Sequence, residues 1–189
     1  MRLVLMGPPG AGKGTQAKIV SGLLGVPHIS TGDIFRLNVA NGSALGIEAK
    51  RYMDAGEYVP DGVTNAMVRD RLSRDDCRPG FLLDGYPRTV EQVGELSAML
   101  RSSGELLHHV IELTVDIDEV VSRLVGRSAA EHRSDDGEDV IRHRLELYAN
   151  QTAPLTEIYE TQGLLRQVVG MGAVEEVTAR IVAVIGFDE

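Results

Sequence analysis

Apolar positions along the chain fall into two alternating rhythms. Short continuous runs at Leu3 to Met6, His28 to Ile29, Phe81 to Leu83, Val110 to Leu113 and Leu164 to Val169 are separated by longer stretches of mixed apolar and polar residues. Runs of that length, lacking polar alternation, predict strands buried on both faces of a parallel sheet. The intervening stretches predict helices over Gly14 to Leu24, Asp33 to Ala40, Ala44 to Ala55, Val63 to Ser73, Val90 to Leu100, Ile117 to Val125, Val140 to Tyr148, Leu155 to Tyr159 and Val174 to Ile185. Strands alternating with helices predict an α/β fold: a doubly wound, five-stranded parallel sheet with helices on both faces and right-handed crossovers. Two stretches break the rhythm, the helical pair from Thr31 to Val59 and the polar segment Arg127 to Asp136, and both are predicted to be small mobile flaps.

Ligands of such sheets bind beyond the carboxyl ends of the strands. The first strand there runs into Gly7 to Thr15, GPPGAGKGT, and directly into a helical segment. Glycines at 7, 10, 12 and 14 let successive backbone N–H groups turn inward around an anion at the helix N-terminus. Lys13 adds a point charge for the β and γ phosphates of a nucleoside triphosphate. The spacing is that of a P-loop, with one departure: Gly14 stands where the general motif has the Ser or Thr that ligates Mg²⁺, and Thr15 follows it. The loop alone does not separate kinase, hydrolase and switch.

Asp84 ends the third strand and is followed by Gly85-Tyr86-Pro87-Arg88, so a carboxylate and an arginine emerge at the same edge, the carboxylate suited to holding Mg²⁺ through water. Gln92, in the first turn of the next helix, offers an amide that can bond to a base edge. Arg123 and Arg127 are four residues apart on one helix face, and Arg133, Arg142 and Arg144 lie a short loop away. Like charges gathered in this way repel unless an anion is bound, which favours a polyphosphate held between the P-loop and a closing flap.

Composition narrows the choice. The 189 residues carry a formal net charge of -9, with no basic run above the acidic background, which argues against a nucleic-acid or membrane-surface binder. Cys77 is the one cysteine, in the turn-like DDCRPG, and reads as a surface or loop thiol; intramolecular disulfides and any multi-cysteine zinc site are excluded. No apolar run reaches membrane-spanning length, and Met1-Arg2 leads straight into the first strand, so a cytoplasmic protein is expected, with a monomer as the default because no exposed apolar stripe compels association. His28, His108, His109, His132 and His143 show no triad or metal-ligand spacing and receive no role.

Taken together, GPPGAGKGTQ, STGDIFR, DGYPRTVEQ, RLVGR, RSDD and NQTAPL resemble the adenylate kinase family over the whole chain. The resemblance implies reversible Mg²⁺-dependent transfer, ATP + AMP to 2 ADP, with ATP, AMP and ADP as the partners. It implies three parts: a core of residues 1–29, 60–126 and 137–189, an AMP-binding flap of 30–59 and a lid of 127–136. Only five residues separate Arg127 from Arg133, so the lid is of the short form, without structural zinc. Carried over residue by residue, the resemblance assigns ATP to Gly10, Ala11, Gly12, Lys13, Gly14, Thr15, Arg123, Arg127 and Gly172. It assigns AMP to Thr31, Arg36, Glu57, Tyr58, Val59, Gly85, Tyr86, Pro87, Arg88, Gln92, Arg133 and Arg144, and surrounds the transferring phosphoryl group with Lys13, Arg88, Arg127, Arg133 and Arg144. A UMP/CMP kinase of the same fold and a nucleotide-binding switch without transferase activity are the competing readings.

Overall fold

A computed structural model of the protein describes residues 1–116, 119–121, 124 and 138–186. Five strands form one sheet: β1 (Arg2–Met6), β2 (His28–Ser30), β3 (Phe81–Asp84), β4 (His109–Thr114) and β5 (Leu165–Val169). All pair in parallel, as the apolar runs predict, and their order is β2-β3-β1-β4-β5. Among the described residues the helices are α1 (Lys13–Leu24), α2 (Thr31–Ala40), α3 (Ala44–Ala55), α4 (Asp61–Leu72), α5 (Val90–Ser102), α6 (Glu138–Leu147), α7 (Leu155–Thr161) and α8 (Val174–Ile185).

Strands β1, β3 and β4 carry apolar residues at successive positions because each supplies two cores. Val4, Met6, Phe81, Leu83 and Val110 face a cluster completed by Val68 of α4, Val93 and Leu96 of α5, and Leu155 and Tyr159 of α7. Leu3, Leu5, Leu82, Ile111 and Leu113 face the opposite cluster, with Ala17 and Val20 of α1 and Val177 and Ile181 of α8. Each such side chain contributes about 1.5–3 kcal/mol by leaving water. One extra or missing residue in a strand would exchange the two faces, so burial on both sides fixes the register.

Local chemistry sets the helix boundaries. Ser30 Oγ accepts from the Asp33 N–H at 3.2 Å, so α2 starts immediately after β2, two residues before the predicted Asp33. Ser43 caps α3 and Thr89 caps α5 in the same way. Phe35, Ala49 and Val59 form a small core between residues 30–59 and α4, with Val63 and Met67 packed against it. The α2 and α3 backbones come so close that a Cβ at Gly46 would fall 2.1 Å from the Asn38 carbonyl oxygen.

Three expectations are adjusted. Helix α6 passes into a π-helical turn at Tyr148–Thr152 instead of stopping. Cys77 lies in a 3-10 turn, Asp75–Cys77, and is buried rather than a surface thiol: it takes a hydrogen bond from Arg71 Nη1 at 3.0 Å and donates to the Arg71 carbonyl. Of the predicted helix at 117–125, Glu119 to Val121 and Leu124 are described and helical, and the predicted lid at 127–136 lies outside the described residues.

Candidate active site

Gly10 and Gly12 have φ of +84° and +86°, the left-handed region that a Cβ would strain, and Gly12 is the N-cap of α1. This turn aims the first N–H groups of α1 into a cleft of about 540 Å³ lined by Gly10, Gly12, Lys13, Gly14 and Thr15. Lys13 Nζ donates to the Gly7 and Pro8 carbonyls at 2.7 and 2.9 Å, which holds the ammonium against the loop. Ala11 is buried under the loop, so its part is confined to its backbone.

Across the cleft stands the end of β3. Asp84 is 8% exposed and lines the same space, with His28 Nε2 3.6 Å from its Oδ2. A Cβ at Gly14 would stand 3.7 Å from that oxygen, so the loop passes directly by the carboxylate. The hard oxygens of Asp84 and Thr15 suit Mg²⁺. Among the described residues no group of three or more His, Cys, Asp or Glu could hold a metal unaided. A divalent ion here would therefore draw its remaining ligands from phosphate and water.

Beyond Asp84 the chain turns at Gly85, whose φ is +80°, and delivers Arg88. The arginine is held from three sides: Nε donates to the Gly85 carbonyl at 2.8 Å, the guanidinium lies 4.9 Å from the centre of the Tyr58 ring, and Thr152 Oγ1 donates to the Arg88 carbonyl at 2.9 Å. Tyr58 and Thr152 share a hydrogen bond of 2.8 Å, so the segment after α3 and the π-helical turn meet behind the arginine.

A second, smaller cavity of about 70 Å³ adjoins the cleft. Thr31, Arg36, Glu57, Tyr58, Val59, Gly85, Arg88 and Gln92, all predicted for AMP, line it together with Phe35, Met53 and Thr64. The two spaces share Gly32, Arg36, Gly85, Arg88 and Arg144. Thr31 Oγ1 donates to the Gly85 carbonyl at 2.9 Å, tying the start of α2 to the turn after β3. At the far wall, Gln92 Oε1 accepts from the Arg88 N–H at 2.7 Å and Nε2 donates to Asp61 Oδ1 at 2.6 Å.

Other predicted residues sit apart. Tyr86 is 1% exposed and faces the core beneath the site, where burial raises its phenol far above the ordinary range and its hydroxyl donates to Asn65. Pro87 lines a further space beside Lys13, Arg88 and Thr152. Gly172, with φ of +103°, follows β5 and lines neither cavity. Arg123, Arg127 and Arg133 lie outside the described residues. The sequence reading passed over Asp61, Thr89 and Thr152, whose signals are those of ordinary helix ends, an Asp in a first turn and a Thr N-cap.

A glycine cradle at the first strand of a parallel sheet, faced by a carboxylate and by arginines shared with a second cavity, defines a P-loop phosphotransferase acting on nucleoside phosphates. Comparison with known proteins narrows this class. The adenylate kinase family profile matches residues 5–164. An adenylate kinase of a Nocardioides species is 62% identical over 181 residues, 96% of this chain and 95% of that protein. Those of Kocuria rhizophila and Thermobifida fusca are 58% and 56% identical, over 96% and 95% of this chain and 97% and 95% of theirs. The chain belongs to the adenylate kinase family.

Proposed function

We propose that the protein transfers the terminal phosphoryl group of ATP to AMP, reversibly, giving two ADP. The observation that carries this reading is the convergence of two cavities on Arg36, Arg88 and Arg144, one floored by the P-loop and the other walled by Gln92. Phosphoryl transfer asks mainly for alignment and for neutralising charge on the equatorial oxygens. In this reading the P-loop N–H groups and Lys13 hold the ATP phosphates, while Arg36 and Arg88 hold the AMP phosphate in line. Arg144 bridges the two together with Arg133, and Arg123 and Arg127 complete the donor side.

Mg²⁺ would supply charge neutralisation at the donor phosphates. Asp84 is the residue that would hold it, through water, with Thr15 close by. The acceptor phosphate, with a second pKa of about 6, is largely ionised near neutral pH, so no general base is required. Water competes with AMP as nucleophile, and the segments 30–59 and 127–136 act as the flap and lid that exclude it, around a core of 1–29, 60–126 and 137–189. The enzyme works as a cytoplasmic monomer with ATP, AMP and ADP as its partners; no helix among the described residues is long and apolar enough to cross a membrane.

The test is to supply ATP and Mg²⁺ with AMP, CMP or UMP in parallel and to quantify the diphosphates. ADP formation that depends on AMP is the expected outcome. Preference for CMP or UMP would reassign the acceptor, and ATP binding without transfer to any of the three would overturn the reading.

A further inference from the structure

Gln92 is 2% exposed, and both ends of its amide are already engaged by groups whose hydrogen-bonding sense is fixed. The Arg88 main-chain N–H donates to Oε1 and cannot accept. The Asp61 carboxylate accepts from Nε2 at 2.6 Å through Oδ1, while its Oδ2 accepts from Thr89 Oγ1 at 2.7 Å. Thr89 in turn receives the Gln92 main-chain N–H at 3.2 Å. With the amide turned over, the carbonyl would face a carboxylate oxygen and the NH₂ would face an N–H, so both neighbours oppose the flip and together hold the amide in one orientation.

We infer that Asp61, which lines neither cavity, is a positioning residue that locks the Gln92 amide in one orientation and thereby makes the acceptor site select a 6-amino over a 6-oxo purine. The inference rests on reading the smaller cavity as the acceptor site. An amide carries two N–H donors and two acceptor lone pairs. One of each is used internally, leaving one donor and one acceptor in an order that cannot reverse. Adenine presents an N6–H donor beside an N1 acceptor and matches that order. Hypoxanthine presents an O6 acceptor beside an N1–H donor, the reverse, and each mismatch leaves two buried polar groups opposed. Cytosine has adenine's order, so this device does not reject CMP. Ring size must do so, and IMP is the clean probe because it differs from AMP only at this edge.

In Asp61→Ala a water molecule can take the place of the carboxylate. Water both donates and accepts, so one of the two locks is released. The AMP-to-IMP ratio of kcat/KM is expected to fall by about tenfold or more. Asp61→Glu keeps a carboxylate, an acceptor toward both Nε2 and the Thr89 hydroxyl, and is expected to hold the ratio within about threefold of the unmodified protein. If Asp61→Ala does not fold, Asp61→Ser, whose hydroxyl also donates or accepts, serves in its place. Equal losses with AMP and IMP in the Ala or Ser variant, at an unchanged ratio, would reduce Asp61 to a structural support and overturn the inference. Gln92→Leu separates the two layers: if it leaves the ratio intact, the acceptor-site reading itself fails, whereas if it collapses the ratio and Asp61→Ala does not, only the role of Asp61 falls.

Discussion

Lys13 and Arg88 illustrate how single residues are prepared before any ligand arrives. Lys13 is held on two loop carbonyls, and Arg88 is braced by Gly85, Tyr58 and Thr152, so little side-chain freedom remains to be lost when phosphate binds. Replacing either by alanine is expected to lower kcat by about 10²- to 10³-fold with the fold retained, since each removes charge compensation at the reacting phosphates. Turnover assays alongside circular dichroism check this, and near-normal turnover in a folded variant would refute the assigned role. The lysine was legible from spacing alone, because G-x4-G-K after a strand fixes both loop and ligand. The bracing of Arg88 was not: Tyr58 and Thr152 are far from Arg88 in sequence, and nothing in the spacing of the three shows that the fold brings them together.

Helices and strands were legible wherever burial fixed them. Each strand was predicted within a residue or two of its bounds, because a residue between two cores has no polar alternative. Helix starts were less legible. Ser30 caps α2 without an intervening loop, and Thr31 thereby becomes a first-turn helical residue rather than a loop residue. The close approach of α2 and α3 was invisible, since a glycine inside a helix signals nothing about its neighbour. Gly46→Ala is expected to force the two helices apart, costing about 1–3 kcal/mol through overpacking. The damage should stay local to the flap: KM for AMP is expected to rise while affinity for ATP, measured by calorimetry, stays near that of the unmodified protein. An equal loss of both affinities would place the packing of these helices under the whole site instead.

At the scale of the molecule, the sheet carries a pH dependence unrelated to the reaction. His109 starts β4 with Nδ1 buried and without a partner among the described residues, and burial, the Arg166 charge and His108 all hold its pKa below the ordinary 6.5. The native state thus favours the neutral ring. The unfolded chain takes up a proton first as pH falls, so this contribution is present above about pH 6.5 and is lost as pH drops through that value toward the native pKa. Urea unfolding between about pH 7.5 and 5.5 is expected to show falling stability, by at most about 1.4 kcal/mol per pH unit for one histidine. In His109→Gln the slope should be shallower, and an unchanged slope would assign the effect elsewhere.

The strand order has a further meaning. β1 sits between β3 and β4, so the chain lays down the acceptor half of the sheet and the donor half on opposite sides of the P-loop. The residues proposed for AMP fall, with Arg133 and Arg144 as exceptions, between Thr31 and Gln92, one uninterrupted stretch of chain. Choice of acceptor is therefore heritable as a single block. Recombination at the end of β2 and within α5 would exchange it while the phosphate loop stays in place, and the amide proposed to read the base would travel with the carboxylate that holds it.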